Sequence, residues 1–364
     1  MNYSIIVPVY NRPDEVDELL QSLTTQTEKD FEVIIVEDGS AQKCEDVCKR
    51  YADILDLHYY YKENSGPGQS RNYGAERARG EYFIILDSDV VLPESYLSNV
   101  RKNLKAQGAV AFGGPDRSHP SFTPIQKAIS YSMTSFFTTG GIRGGSSPLF
   151  GRKRGGALDK FYPRSFNMGI RRDVYQELGG FSKMRFGEDI DFSYRIVEAG
   201  YEPKLFPETW VWHKRRTDLR KFWRQVFNSG IARINLSKRH PGTLKLVHLL
   251  PAVFTVGVVG LLLLALLGLA VFLFTSSDPY SAGHMQGAVG FALFELSLLP
   301  IILYALLIFI DSSTRNRNIL VGLLSVPAAF VQLMGYGCGF IQAWWRRIVR
   351  GQDEFTAYEK NFYK

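Results

Sequence analysis

From Val247 to Thr275 the chain runs 29 residues without a Lys, Arg, Asp or Glu. About 20 apolar residues suffice to cross the hydrocarbon core of a bilayer. In lipid such a run must satisfy its own backbone, so it has to be a helix. Two more apolar stretches follow. With the first at about 246–274, the others at about 289–310 and 319–343 make 246–345 an expected α-helical membrane region. A polar tail, 346–364, comes after it. The second stretch contains Glu295, and an ionisable group inside a span is a functional candidate by default. A lipid head group and a neighbouring helix are its alternative partners. Trp344 and Trp345 end the third stretch as an interfacial aromatic belt would.

Charge placement leaves one conflict open. The loop 276–288 has no Lys or Arg and is expected outside; Arg315 and Arg317 are expected inside. If the third stretch crosses fully, Arg346, Arg347 and Arg350 end outside, against the rule. Either that stretch is re-entrant or the rule is broken.

Before the membrane region, residues 214–245 hold ten Lys and Arg and one acid, Asp218, interleaved with Leu219, Phe222, Trp223, Val226, Phe227, Ile231 and Ile234. This basic amphipathic pattern suits an anionic membrane surface. Nucleic acid is the competing partner and is disfavoured by the spans that follow. The net charge of +7 alone would not decide between them. No basic, cleavable leader opens the sequence, so the N-terminal domain is expected in the cytoplasm of a multi-pass inner-membrane protein. Cys44, Cys48 and Cys338 read as reduced packing thiols rather than metal ligands.

Residues 1–213 read as an α/β domain, with a donor half at about 1–110 and an acceptor half at about 111–213. Strands at 3–9, 31–36, 57–61 and around 84 alternate with helices at 14–25, 41–53 and 70–79, which implies a mostly parallel sheet. No Gly-x-Gly-x-x-Gly follows the first strand, which disfavours an ordinary dinucleotide fold. In open α/β sheets, ligands bind beyond the C-terminal ends of the strands. Asp38 ends one strand, and Ile84–Leu86 climbs to Asp87-Ser88-Asp89. Two carboxylates one residue apart can hold Mg2+ or Mn2+, which in turn binds phosphate. A solvated turn is the plainer alternative. Arg71, after the loop Gly66-Pro67-Gly68, has a guanidinium fork that matches phosphate oxygens.

Residues 110–165 are Gly-rich and basic, fitting either a mobile loop over an anionic substrate or a solvated loop. A strand is expected at 166–170 and a helix at 172–178. Gly187-Glu188-Asp189-Ile190-Asp191 then opens a helix to Ala199. Acids in a first turn suit the helix dipole; a carboxylate there can equally serve as a general base. His213 follows a strand.

These segments together carry a resemblance. Val7-Pro8-Val9-Tyr10-Asn11, Glu37-Asp38-Gly39-Ser40, Gly66-Pro67-Gly68 leading to Ser70-Arg71-Asn72, and Asp87-Ser88-Asp89 resemble, in order and spacing, family 2 of the inverting glycosyltransferases. The resemblance covers about residues 1–235. It implies a GT-A fold and a nucleotide-sugar donor lined by Pro8, Tyr10, Asn11, Glu37, Asp38, Arg71, Asp87 and Ser88. Asp38 would contact the nucleobase, with Glu37 standing where an Asp is usual. Asp87 and Asp89 would hold the metal, joined by His213. The Glu188-Asp189 run with Arg195 is similar to the acceptor-side motif of that family, making Asp189 the base and Glu188 its neighbour. Asn167 and Asp191 are further acceptor-side candidates.

The expected activity is thus a metal-dependent inverting glycosyltransferase serving a membrane-held, polyprenyl-linked acceptor in cell-surface glycan assembly. The processive Gln-x-x-Arg-Trp motif is replaced by Phe222-Trp223-Arg224-Gln225, so a single addition is expected. The alternatives are transfer to a polyprenyl phosphate and a non-catalytic nucleotide-binding scaffold. A sugar-nucleotidyltransferase is disfavoured, because Val9-Tyr10-Asn11 lacks its Gly-rich basic signature.

Overall fold

The computed structural model describes residues 2–139, 161–275 and 283–357. Residues 140–160, within the Gly-rich basic run, lie outside the described residues.

The first half alternates as expected: β1 (Tyr3–Val9), α1 (Pro13–Thr24), β2 (Phe31–Asp38), α2 (Glu45–Tyr51), β3 (Leu57–Lys62), α3 (Pro67–Ala75) and β4 (Tyr82–Leu86). Next come β5 (Val90–Val91), α4 (Tyr96–Gln107), β6 (Ala111–Gly113), β7 (Asp116–Arg117), α5 (Pro124–Thr134) and α6 (Phe136–Thr139). Beyond the Gly-rich run are β8 (Asn167–Arg171), α7 (Arg172–Glu177), α8 (Glu188–Glu198), β9 (Lys204–Leu205) and β10 (Val211–His213). The chain ends in long helices: α9 (Leu219–Arg239), α10 (Leu250–Thr275), α11 (Gly283–Asn316) and α12 (Ile319–Trp344).

The main sheet has the order β3-β2-β1-β4-β8-β6-β9. Strands β1 to β4 run parallel, while β8 is antiparallel to β4 and to β6. The parallel strands are buried on both faces, which explains their nearly unbroken apolar runs. Ile5, Val7, Val33, Ile35, Ile84 and Leu86 meet α1 and α4 through Leu19, Leu20, Leu23, Leu97 and Val100. Ile6, Ile34, Val36, Phe83 and Ile85 meet the opposite layer through Ala75, Val174, Phe192 and Ile196. Because β1, β2 and β4 are parallel, Asn11, Asp38 and Asp87 all emerge at one edge of the sheet.

Two local features bear on that edge. Helix α3 starts at Pro67, three residues earlier than expected. Pro at N1 loses no needed N–H, and Gly66 supplies a φ of 93° just before it. Strand β4 stops at Leu86, and the acids that follow it form the turn into β5. That strand leaves the main sheet and joins β10 and β7 in a second, three-stranded one.

Helices α10, α11 and α12 are each long and apolar enough to cross a membrane. Helix α12 is unbroken through Pro327. Glu295 is exposed on α11 rather than packed against a neighbouring helix. The apolar stripe of α9, expected to meet lipid, is instead covered by protein. Phe222 and Val226 share a core with α5 and α12, and Ile231 and Ile234 pack on Phe340 and Ala343.

Candidate active site

At the sheet edge, Asn11 ties two strand ends together. It sits at φ 53°, a left-handed conformation that Asn tolerates. Its Oδ1 accepts from the Ala41 and Gln42 amides at 2.8 and 2.9 Å, and its own N–H donates to Ser40 Oγ. Glu37 is fully buried beneath this loop, accepting from Ser40 Oγ, the Cys44 amide and Tyr59 OH. It acts on the loop from below. Asp38 accepts from Lys62 Nζ and from the amides of Ser65 and Gly66, both at 2.9 Å. It thereby holds the Gly-Pro-Gly loop that launches α3. Pro8 and Tyr10 are half-buried at the end of β1, and Ser88 is buried between the two acids.

Arg71, one turn into α3 and 3% exposed, bridges the turn after β4 and the start of α8. One guanidinium nitrogen donates to Asp87 Oδ1 and the other to Glu188 Oε1, each at 2.8 Å. Asp87, Asp89 and His213 come together: one ligand atom from each lies within 4.8 Å of the others. His213 Nε2 is 3.2 Å from Asp89 Oδ1, and its ring stacks on Phe166. The second Asp89 oxygen accepts from Arg12 at 2.5 Å. Burial alone would raise the Asp89 pKa; the charges of Arg12 and then His213 outweigh it and hold that carboxyl well below its usual value.

Glu188 and Asp189 open α8 behind Gly187, whose φ is 83°. Their environments push them apart, the pattern that separates proton-holding from proton-taking groups. For Asp189, burial is opposed by Arg164, whose Nε donates to Oδ2 at 2.6 Å, and the carboxyl stays ionised below the usual range. For Glu188, burial wins over Arg71, and its pKa is pushed up to about 7.

The description "Glycosyl transferase family 2" fits residues 4–179 of the chain. Over those residues the chain is similar to the family 2 glycosyltransferases. An uncharacterized glycosyltransferase of Rickettsia typhi is 44% identical over 86 residues, 24% of this chain and 26% of that protein. One from Haemophilus influenzae is 30% identical over 216 residues, 56% of this chain and 64% of the relative. The chain spans about a quarter or less of the length of the first curated relatives it matches. The mannosyltransferase PcManGT from Pyrobaculum calidifontis, solved with GDP-Man and Mn2+, aligns over 95% of this chain and 88% of its own. Its TM-score is 0.55 at 16% identity, which shows a shared GT-A-like fold.

Within the matched residues, three cations at the site escaped the sequence reading. Arg12 precedes the α1 proline, Lys62 ends β3, and Arg164 lies at the end of the Gly-rich run. Each faces an acid that the sequence did single out. Asn167 is fully buried, accepting from Tyr96 OH and donating to the Thr209 carbonyl. Asp191 is likewise engaged, by His240 Nε2 at 3.0 Å and by Arg195. Both residues therefore brace the protein around β8 and α8.

The Asp87, Asp89 and His213 set fits a divalent cation. Its hard oxygens and one imidazole suit an ion such as Mn2+. In addition, His213 Nδ1 is buried without a hydrogen-bond partner among the described residues.

The raised Glu188 pKa gives a signed expectation. Between pH 4.5 and about 7 the folded chain keeps a proton that an unfolded Glu has lost. Glu188 therefore contributes stability in full below pH 4.5, and that contribution is lost as pH rises through about 7. Thermal midpoints across this window should fall with pH in wild type and stay flatter in Glu188→Gln.

Proposed function

We propose that this protein is an inverting, metal-dependent glycosyltransferase that moves a sugar from a nucleotide-sugar to a hydroxyl of a membrane-held acceptor. The observation that carries the reading is Arg71. It ties Asp87 of the cation-binding set, inside the matched residues 4–179, to the Glu188-Asp189 pair just beyond them. Asp38 and the loop it holds receive the donor's base. Asp87, Asp89 and His213 would hold Mg2+ or Mn2+, which when bound supplies positive charge to the departing diphosphate. Arg71 supplies fixed charge beside it. Asp189 takes the proton from the acceptor hydroxyl. Attack from the side opposite the leaving diphosphate inverts the anomeric centre.

The membrane-held acceptor is supported by the position of α8. Gly187 packs on Ala232 and Leu236 of α9, which in turn packs on the apolar helix α12. We place the domain on the cytoplasmic face of the inner membrane, because cations line α9 and the α11–α12 turn. One observation favours a second reading, transfer to a polyprenyl phosphate: the Arg164 guanidinium beside Asp189 suits an anionic acceptor.

Donor and ion binding test the reading. The fold neighbour makes GDP-mannose and Mn2+ the first pair to try, with UDP-sugars next. Free Mn2+, followed by its electron spin resonance, should be taken up by wild type in the presence of donor. His213→Ala should weaken uptake by about 10-fold or more. Arg12→Met, which frees an Asp89 oxygen, should strengthen uptake in the absence of donor. An unchanged affinity in both variants would remove the cation site from the account.

A further inference from the structure

The unassigned feature is the course of α12. On one side it lies along α9. A Cβ on Gly335 would meet Val226, one on Gly339 would strike the Phe227 carbonyl at 2.0 Å, and one on Gly230 of α9 would strike the Tyr336 carbonyl at 2.2 Å. Further along, Ile231 and Ile234 meet Phe340 and Ala343; at the other end, Phe222 and Val226 share a cluster with Val321 and Ala328. Numbers rise together in both helices. They run parallel, side by side, nearly end to end.

On its other side α12 crosses one end of the α10–α11 pair. Ser325 bonds Ser312 at 2.7 Å, and Ala329 packs with Ile308 near the end of α11. Phe330 meets Phe254, Gly337 abuts the Pro251 carbonyl and Thr255, and Phe340 clusters with Leu249 and Ala252 at the start of α10. Towards their far ends α10 and α11 pair with each other, Gly268 against Gly290 and Phe272 against Phe291. A third span antiparallel to α11 would carry Phe340 and Ala343 towards Gly290. They lie instead at the start of α10.

The charges make the same point. Helix α9 is 21 residues, roughly 30 Å, about the thickness of the hydrocarbon core. It carries Arg220, Lys221, Arg224, Arg233, Lys238 and Arg239. A spanning α12 would draw these six cationic side chains through the bilayer beside it, and ionisable groups at that depth are costly. The tail after α12 also returns to α9: the Ala357 amide donates to Asn228 Oδ1, Asn235 to the Phe355 carbonyl, and Arg239 pairs with Glu354.

We propose that α12 lies in the plane of the membrane interface, between α9 and the ends of a two-span hairpin of α10 and α11. Its exposed ends, Leu320 and Leu323 on one side and Ile341, Trp344 and Trp345 on the other, contact lipid of the leaflet beneath the catalytic domain. The chain then crosses twice, and its tail lies on the same side as the N-terminal α/β domain. Arg315, Arg317, Arg346, Arg347 and Arg350 all fall on that side, so the positive-inside rule holds. The proposal rests on the hairpin being membrane-embedded and not on the transfer reaction.

Single cysteines test it in the full chain. Cys44 and Cys48 are buried and can stay; Cys338→Ala removes the third. Gln286→Cys and Gln352→Cys are each treated with a membrane-impermeant maleimide in intact spheroplasts, then after permeabilisation. Gln286→Cys should label at once and Gln352→Cys only after permeabilisation. Labelling of Gln352→Cys in intact spheroplasts, or failure of Gln286→Cys to label there, would overturn the proposal. Nitroxides at Leu323→Cys and Ile341→Cys provide a second reading. They should report equal depth in the bilayer; depths in opposite leaflets would overturn it as well.

Discussion

Asp189→Asn is expected to lower sugar transfer by about 10²–10⁴-fold while donor affinity stays within a few-fold of wild type. The substitution keeps size and removes the charge that can accept a proton. Asp189 is suited to the role because Arg164 keeps it ionised below the usual carboxylate range despite burial. The same guanidinium makes it a weaker base until an acceptor shares that contact. Single-turnover transfer and donor titration on the same preparation separate the two effects. Transfer at the wild-type rate would leave Asp189 as a helix cap and favour the phosphate acceptor, which is already ionised.

The other large effect is expected at Arg71. Arg71→Met leaves the buried Glu188 and the half-buried Asp87 without their shared cation. Glu188, its pKa already raised to about 7, can take up a proton, so the loss of stability should fall below the ~3–5 kcal/mol of stranding a buried charge. Donor turnover should fall with it. Arg71→Lys keeps the charge but cannot fork to two carboxylates, so it should recover stability better than activity. Adding Glu188→Gln to Arg71→Met should restore part of the thermal midpoint and none of the transfer. Thermal unfolding in detergent beside donor turnover checks both. A fully active Arg71→Met protein would break the link between the two halves of the site.

The acids of this site were legible because they close apolar strands. Asp38 and Asp87 follow runs that could only be buried, and parallel strands deliver their ends to one edge. His213 was legible as the end of another strand. Arg12, Lys62 and Arg164 were not, because a loop cation's partner is chosen by the tertiary fold and has no spacing of its own. Glu37 was read as donor-binding and Asn167 as an acceptor-side candidate; the polar atoms of both are engaged by the protein. A polar residue beside a site looks the same in sequence whether it faces ligand or braces a loop.

The membrane half shows a related limit. The apolar stripe of α9 says that one face is covered, not by what, and the cover is partly α12. The apolar length of α12 permits a span. Its glycines, which admit the backbone of α9 at Gly339 and that of α10 at Gly337, turn it sideways. The Arg residues after it were the sequence's one signal of that outcome.

The most direct measurement is transfer itself. Wild-type protein in native membranes or detergent is offered a nucleotide-sugar panel with Mn2+ or Mg2+ and lipid extract, and the product's anomeric configuration is read by NMR. The account predicts cation-dependent transfer to a lipid-extractable product with inverted configuration, abolished in Asp89→Ala. Failure to bind any nucleotide-sugar with either cation, or a product of retained configuration, would contradict it.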